Sequence, residues 1–180
     1  MKTCVFIIGT NGSGKTTLAK ALIARCGGIA SATKRLTELK DARFCLAGKY
    51  SDASRYGGVD GFGTGQLEGV VRDALAAHET IFCEGSYLDT FGLNLLRAIF
   101  VADRQLVVCL RADAPVLAAR ISARSGNRLS QSALAKQDRC LRCVGKWRSV
   151  GVKTIVADTG RLSEGDIVGK VFEIVGGSYA

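Results

Sequence analysis

The chain has 180 residues, of which 47% are hydrophobic and one is proline, and its formal net charge is +9. This length suits one domain with a sizeable core, and the composition excludes a disordered chain. No apolar run reaches the roughly 18 residues of a membrane-spanning helix, and the seven cysteines, an odd number, fit a reducing compartment. We therefore expect a cytoplasmic protein that does not enter a membrane.

Strands and helices are predicted to alternate along the chain. Five apolar runs without polar alternation predict strands covered on both faces: Thr3–Ile8, Arg43–Ala47, Thr80–Cys83, Gln105–Leu110 and Lys153–Ala157. Helical patterns lie between and after them, at Lys15–Arg25, Gly65–His78, Leu93–Ala102, Pro115–Arg124, Ser130–Arg148 and Glu164–Val175. This order predicts a single α/β domain over residues 1–180, a five-stranded parallel sheet with helices on both faces. Functional residues are then expected directly after each strand.

The first strand leads into residues 9–16, Gly-Thr-Asn-Gly-Ser-Gly-Lys-Thr, a complete Walker A match. Its glycines let the backbone wrap a phosphate, and the helix that begins near Gly14 points its positive end at the same anion. Lys15 reaches the β- and γ-phosphates, and the Thr16 hydroxyl binds Mg²⁺. We therefore predict a P-loop NTPase fold, like that of nucleoside and nucleotide kinases, which uses ATP and Mg²⁺. The predicted nucleotide-binding residues are Gly9, Asn11, Gly12, Ser13, Gly14, Lys15, Thr16, Thr17 and, further along, Arg120.

The segment after the second strand, residues 48–64, is rich in glycine and about 17 residues long, a length typical of functional loops. Asp60 in this segment is a candidate substrate ligand or general base, with a solvated loop residue as the alternative. The candidates for stacking on a base are Tyr50, Tyr56 and Phe62, and those for binding phosphate are Lys49 and Arg55.

The third strand ends in the sequence Phe82-Cys83-Glu84-Gly85-Ser86. A carboxylate at the end of an apolar strand is a Walker B-like placement, so Glu84 is predicted to hold Mg²⁺ or to act as the general base. The alternative is a glutamate that only caps the next helix. The sequence leaves open whether Glu84 or Asp60 is the base, and it places Gly85 and Ser86 beside the substrate.

The region after the fourth strand is strongly basic, and residues 114–150 are predicted to form a basic lid and helical segment. Arg120 and Arg124 lie four residues apart on one helix face, where they suit phosphate binding and charge neutralisation during transfer. Nine basic residues and one acid between residues 114 and 157 give a balance of +8, which favours a nucleic-acid partner over a solvated basic face. The basic residues are Arg120, Arg124, Arg128, Lys136, Arg139, Arg142, Lys146, Arg148 and Lys153.

The long helix of this region carries a basic stripe. Spacings of three and four place Arg139, Arg142 and Lys146 on one face, beside Trp147, where the basic residues would follow a nucleic-acid backbone. A lone tryptophan is more often a packing residue, so core packing is the favoured interpretation for Trp147 and contact with nucleic acid is the alternative. The C-x-x-C pair of this helix lacks a second pair of ligands, which argues against zinc. After the fifth strand, residues 158–160 are placed beneath the adenine ring by position alone.

Several of these elements together resemble a known family. Over residues 1–130, the chain resembles the small P-loop kinases of bacteriophages, most closely the 5-hydroxymethyluracil DNA kinases. The elements that carry the resemblance are the P-loop, Gly48-Lys49-Tyr50, Gly57-Gly58-Val59-Asp60, Phe82-Cys83-Glu84-Gly85-Ser86 and the helix with Arg120 and Arg124. The resemblance implies transfer of the γ-phosphate of ATP to the hydroxymethyl group of a base in phage DNA, as a step of DNA hypermodification. The base would be flipped out or single-stranded, in the cytoplasm of the infected bacterial host.

We therefore expect an Mg-ATP-dependent kinase with an alcohol acceptor. The predicted catalytic residues are Lys15, Asp60, Glu84, Arg120 and Arg124, and the predicted metal ligands are Thr16 and Glu84. Three alternatives stay open: a kinase for small nucleosides, nucleotides or metabolites, a nucleic-acid-stimulated ATPase without an acceptor hydroxyl, and an end-specific polynucleotide kinase. The sequence makes no prediction of oligomeric state.

Overall fold

The computed structural model describes residues 1–51 and 57–176. Seven strands form one mixed sheet: β1 Thr3–Gly9, β2 Ile29–Ala32, β3 Leu36–Leu39, β4 Phe44–Ala47, β5 Thr80–Glu84, β6 Arg104–Arg111 and β7 Lys153–Asp158. Their order across the sheet is β2-β3-β4-β5-β1-β6-β7. The strands from β4 to β7 in this order are parallel, so their carboxyl ends share one edge of the sheet.

The prediction of a five-stranded parallel sheet is wrong in strand number and direction. The five predicted strands are present and parallel to one another, but β2 and β3 extend the β4 edge in antiparallel pairing, with Leu36 opposite Ala47. Each of the two has four residues, and β2 is largely exposed, so neither forms a long apolar run in the sequence. Thr33 closes the hairpin, since its hydroxyl accepts a hydrogen bond from the Leu36 N–H at 3.0 Å.

All six predicted helices are present. They are α1 Lys15–Arg25, α2 Thr64–Ala77, α3 Leu93–Ile99, α4 Ala114–Ser125, α5 Gln131–Ser149 and α6 Glu164–Val175. Of these, α1 and α6 have the predicted bounds, and the other four have shifted ends. Two short 3₁₀ helices, Val59–Gly61 and Ser86–Asp89, follow β4 and β5. Within the two described ranges, no helix has both the length and the apolarity needed to cross a bilayer.

The central strand β1 is buried on both faces, as expected for a strand between two helical layers. Cys4, Phe6 and Ile8 face the core on the side of α2, α3 and α5, whereas Val5 and Ile7 face the core on the side of α1 and α6. Both helical layers therefore fix the end of β1, and with it the start of the P-loop.

Trp147 is fully buried and packs edge-on against Phe6 and Phe91, with ring centroids 6.0 Å and 5.0 Å away. It is a core residue, which confirms the packing interpretation of Trp147 over a place beside nucleic acid. Cys140 and Cys143 are also buried, with free thiols. No cluster of three or more His, Cys, Asp or Glu side chains that could hold a metal ion occurs among the described residues.

Helix α5 runs along the strand direction, from the carboxyl ends of the parallel strands toward their amino ends. Near its start, the Ala133 carbonyl accepts a hydrogen bond from the Thr10 hydroxyl at 2.6 Å, so α5 begins beside the P-loop. Its 19 residues rise about 28 Å, and the chain then enters β7 at Lys153. Because β7 is parallel to β6, it starts at the amino ends of the parallel strands, whereas the P-loop lies at their carboxyl ends. The last turn of α5 therefore lies far from the carboxyl ends of the strands.

Candidate active site

A cavity of about 840 Å³ opens at the carboxyl ends of the parallel strands. This volume lies within the range of sites for small organic ligands. The P-loop, the turns after β4 and β5, helix α4 and the start of α6 contribute to its walls. Among the predicted site residues, those that line the cavity are Asn11, Gly12, Gly14, Lys15, Thr16, Thr17, Asp60, Glu84, Arg120 and Arg124. The two remaining ones, Gly9 and Ser13, are buried behind it.

The P-loop wraps the positive end of α1. Gly14 has a φ of 96°, in the left-handed region that favours glycine, and α1 begins at the next residue. The Ser13 N–H donates to the Thr10 carbonyl at 3.2 Å and closes the turn. The first N–H groups of α1 and its helix dipole therefore face the cavity, which makes this end of it an anion site.

Lys15 folds back over the loop. Its ammonium group donates to the carbonyl oxygens of Gly9 at 2.8 Å and Thr10 at 3.1 Å. Burial lowers the pKa of Lys15, and the nearby Glu84 carboxylate opposes this shift. A half-buried cation thus lies at the floor of the anion site.

Glu84 is 4% exposed at the end of β5 and faces the P-loop. Its Oε1 accepts a hydrogen bond from the Thr16 hydroxyl at 3.2 Å. Burial raises the pKa of Glu84, and the charge of Lys15 is the main opposing influence. A hydroxyl and a carboxylate beside a phosphate-binding loop are hard oxygen donors of the kind that Mg²⁺ prefers. Thr16 and Glu84 therefore fit a magnesium site.

Asp60 also lines the cavity, from the 3₁₀ helix after β4. Its Oδ1 accepts hydrogen bonds from the Ser86 N–H at 2.6 Å and the Ser86 hydroxyl at 2.9 Å. These bonds join the turn after β4 to the turn after β5. The structure thus brings Asp60 into one cavity with Glu84 and Ser86, and Ser86 lies 26 positions after Asp60 in the sequence.

Backbone contacts hold these turns together. A Cβ on Gly48 would overlap the Gly58 carbonyl, and a Cβ on Gly58 would overlap the Glu84 carbonyl. Gly58 also has a φ of 88°, so both space and backbone conformation favour glycine there. Three of the segments that carry the family resemblance, those with Gly48, Gly58 and Glu84, are therefore in backbone contact in that order. The position of Glu84 depends on the other two segments.

Arg120 joins the P-loop to the segment after β7. Its guanidinium donates to the Thr159 carbonyl at 2.7 Å, the Thr159 hydroxyl at 2.8 Å and the Gly12 carbonyl at 3.4 Å. The Thr159 hydroxyl in turn donates to the carbonyls of Ser13 and Arg111, each at 3.1 Å. Arg120 thus lies at the end of the cavity where residues 158–160 were predicted to approach the adenine ring, and Thr159 and not Asp158 lines the cavity.

The other arginines of the predicted lid differ in position. Arg124 is exposed and lines the cavity one turn beyond Arg120. Arg128 is exposed in the turn between α4 and α5 and is not part of the cavity wall.

The aromatic stacking candidates after β4 do not form a platform. Tyr50 is only 2% exposed and belongs to the core, so its predicted role in stacking on a base is wrong. Phe62 is half-buried and packs against the core on the other side of the sheet. Tyr56 and Arg55 lie outside the described residues, and Lys49 is exposed.

Part of the basic segment has partners within the protein. Asp89, after β5, is 2% exposed and accepts hydrogen bonds from Arg139 at 2.7 Å and 3.2 Å, and the Lys136 ammonium lies 3.7 Å away. Arg148 donates to the Thr154 hydroxyl at 2.5 Å. Arg139 therefore has an acidic partner within the protein, while the binding of nucleic acid along Arg139, Arg142 and Lys146 stays a prediction.

Two functional contacts were absent from the sequence predictions. Thr159 organises the Arg120 end of the cavity, yet the sequence marked only the position of its tripeptide. Asp89 anchors α5, but a single acid in a short polar segment carries no periodic signal. Neither pattern distinguishes these residues from ordinary loop residues.

Comparisons with known proteins agree with this architecture. The family model AAA_33, described as an AAA domain, matches residues 4–142. No curated protein matches the sequence. In structure, the chain is similar to a sugar kinase from Janibacter sp. HTCC2649, at a TM-score of 0.55 and 16% identity over 96% of this chain and 94% of that one. It is also similar to a gluconokinase from Sinorhizobium meliloti 1021, at a TM-score of 0.54 and 18% identity over 99% and 98%.

A third similar structure is the shikimate kinase from Acinetobacter baumannii in complex with shikimate, at a TM-score of 0.51 and 16% identity over 100% of this chain and 97% of that one. At these identities the likeness shows the fold alone, which is the P-loop kinase-like α/β fold. The family model covers well over half of the chain. The chain therefore belongs to the AAA_33 family of AAA domains.

Proposed function

We propose that this protein is an Mg-ATP-dependent kinase that transfers the γ-phosphoryl group to a hydroxyl group of a small molecule. The observation that carries this proposal is that one cavity is lined by the P-loop and Glu84 together with Asp60 and Ser86. The P-loop suits a nucleoside triphosphate, and Asp60 and Ser86 offer polar side chains to an acceptor. The kinase folds of the similar structures support transfer to an acceptor over hydrolysis.

The chain's own residues divide the work of such a reaction. The P-loop N–H groups bind the phosphates, and Lys15 exchanges the Gly9 and Thr10 carbonyls for phosphate oxygens. Thr16 and Glu84 hold Mg²⁺, which when bound neutralises charge on the phosphates. Arg124 compensates the charge that develops during transfer, and Arg120 supports the nucleoside end of the cavity.

We assign the general base to Asp60 and the metal role to Glu84. Glu84 is buried and already bound to Thr16, the predicted metal ligand of the P-loop. Asp60 is exposed to the cavity, and the two bonds from Ser86 orient its carboxylate. A base must reach the acceptor hydroxyl, and the acceptor would lie beside Asp60 and Ser86.

A second candidate is the phosphorylation of a hydroxymethyl group on a DNA base. Exposed cations at the cavity edge of the sheet favour it: Arg124 and Arg128 lie on one side, and Lys34, Arg35 and Lys49 on the other. The latter three are neighbours because the Gly48 N–H donates to the Arg35 carbonyl at 2.7 Å. Against this candidate, Lys136 and Arg139 are paired with Asp89, and Lys146, Arg148 and Lys153 lie near the opposite edge.

Transfer of labelled γ-phosphate separates the two candidates. The acceptors are a panel of sugars, sugar acids, nucleosides and nucleotides, DNA containing 5-hydroxymethyluracil, and matched thymine DNA, with K15M as the inactive control. Label on a small compound supports the proposal, and label on the modified DNA alone supports the second candidate. Release of inorganic phosphate with every acceptor, stimulated by any DNA, would overturn both in favour of an ATPase.

A further inference from the structure

The nucleoside end of the cavity is formed by the segment that joins β7 to α6 and by the first turn of α6. The residues that line the cavity there are Thr159, Leu162, Ser163, Glu164 and Ile167. Arg120 bonds to the carbonyls of both Thr159 and Gly12, so this end adjoins the P-loop. The P-loop suits the phosphates, and Asp60 and Ser86 suit the acceptor, which leaves this end of the cavity to the base of the nucleotide.

Most polar side chains at this end already have partners within the protein. The Thr159 hydroxyl accepts a hydrogen bond from Arg120 at 2.8 Å and donates to two backbone carbonyls at 3.1 Å. The Ser163 hydroxyl donates to the Asp166 carboxylate at 2.7 Å and accepts from the Asp166 N–H at 3.1 Å. These groups hold the segment in place and would lose their bonds if they turned to a base.

Glu164 differs from these residues. It is exposed and lines the cavity, and its carboxylate makes no hydrogen bond or ion pair to any described residue. The capping box of Ser163 and Asp166 fixes the first turn of α6, and with it the backbone of Glu164. Leu162 and Ile167 offer apolar surface to a planar ring in the same part of the cavity. A carboxylate accepts hydrogen bonds and donates none, so a base beside Glu164 must supply N–H groups.

Purine bases differ in the N–H groups of their six-membered ring. Guanine carries its N1–H and its N2 amino group side by side, so both can donate to one carboxylate. Hypoxanthine keeps the N1–H and lacks the amino group. Adenine places its amino group next to an unprotonated N1, whose lone pair repels a carboxylate. A carboxylate therefore discriminates among the three bases, in the order guanine, hypoxanthine, adenine.

We propose that Glu164 is a specificity-determining residue that binds the base of the phosphate donor and makes the site prefer guanine to adenine. GTP is then the tighter donor and ATP the weaker one. Both present the same phosphates to Lys15 and Thr16, so the chemistry of transfer is unchanged. The inference rests on the proposed function only in that a nucleotide occupies the P-loop, and it is independent of the acceptor.

The test measures the Kd values of GDP, IDP and ADP with Mg²⁺ by calorimetry, because these three nucleotides share their sugar and phosphates and differ only in the base. The wild-type protein is expected to bind GDP about tenfold more tightly than ADP, with IDP between them. E164Q replaces one acceptor oxygen by a donor amide, and an amide pairs with the amino group and a ring nitrogen of adenine. This variant is therefore expected to lose the preference for GDP over ADP.

E173Q is the matched control, because Glu173 is exposed on the same helix and is not part of the cavity wall. It is expected to keep the wild-type ratio of the Kd values. A purely structural or electrostatic role of Glu164 at the start of α6 would change all three Kd values by the same factor and leave their ratio constant.

Equal Kd values for GDP and ADP in the wild-type protein, or a ratio that E164Q leaves unchanged, would overturn the inference alone. Binding of GDP without phosphoryl transfer to any acceptor would count only against the proposed function. Failure of all three nucleotides to bind would overturn both.

Discussion

The Thr16 hydroxyl donates a hydrogen bond to Oε1 of Glu84 across 3.2 Å, and this bond joins the P-loop to the end of β5. It couples the predicted phosphate-binding loop to a carboxylate whose pKa is raised by burial, which makes this group harder to ionise. Function and stability therefore place opposite demands on Glu84.

E84Q is expected to inactivate the protein and to stabilise it at neutral pH. Because burial raises the folded-state pKa of Glu84, ionisation destabilises the fold as pH rises from about 4.5 through the folded pKa. Glutamine avoids this cost, so unfolding in urea at pH 7 without nucleotide should show a gain of about 1 kcal/mol. Below pH 4.5 the gain should disappear. A variant less stable than wild type at pH 7 would contradict the assignment of a buried, destabilising charge.

R120K is expected to weaken nucleotide binding. Lysine keeps the charge but loses the planar fork that bonds both oxygens of Thr159 and the Gly12 carbonyl. We expect the Kd for ATP to rise about tenfold in calorimetry. R128K is the matched control, because Arg128 is exposed outside the cavity wall. Equal affinities for R120K and wild type would remove Arg120 from the nucleotide site.

R124A is expected to lower kcat with little change in the KM for ATP. Arg124 lines the cavity, so its charge would lie near the phosphates during transfer, and a loss of about tenfold or more is typical of such a group. R142A removes an equal charge from an exposed position on α5, so it separates a local effect from a change in net charge. Parallel losses in both variants would show that only overall charge matters.

R139A is expected to destabilise the fold without a specific effect on nucleic-acid binding. Asp89 is buried, and it would keep only the more distant Lys136 as its ionic partner among the described residues. Because Arg139 is itself half-exposed, solvent screening limits the cost to about 1 kcal/mol in urea unfolding. R142A should leave the stability unchanged. A stable R139A protein with weaker binding to DNA would return Arg139 to a binding surface.

The parts of the fold that were predictable are those whose signal is local. The apolar runs of the five parallel strands and the spacing of the P-loop are continuous in sequence, so they identified the sheet edge at which Lys15 and Glu84 meet. The β2–β3 hairpin was not predicted from the sequence, because an exposed edge strand of four residues such as β2 needs no apolar pattern.

The errors at the site arose from contacts distant in sequence. Tyr50 lies in a polar, glycine-rich segment, so the sequence predicts an exposed side chain. In the structure the ring is buried in the core, because Gly57 has no side chain that would overlap it. Likewise, a sum of charges over residues 114–157 omits Asp89, which lies 50 positions from Arg139 and pairs with its guanidinium. A sum over one segment therefore leaves out the partners that the fold brings from elsewhere in the chain.

The stack of Gly48, Gly58 and the Glu84 carbonyl has a consequence for how this fold can change. Gly48 contacts the backbone of Gly58, and Gly58 contacts the Glu84 carbonyl, and neither contact involves a side chain of Gly48 or Gly58. A side chain at either glycine would push these backbones apart and shift Glu84, although neither glycine lines the cavity. Substitutions at these two positions would thus alter the site from outside it, without meeting any ligand.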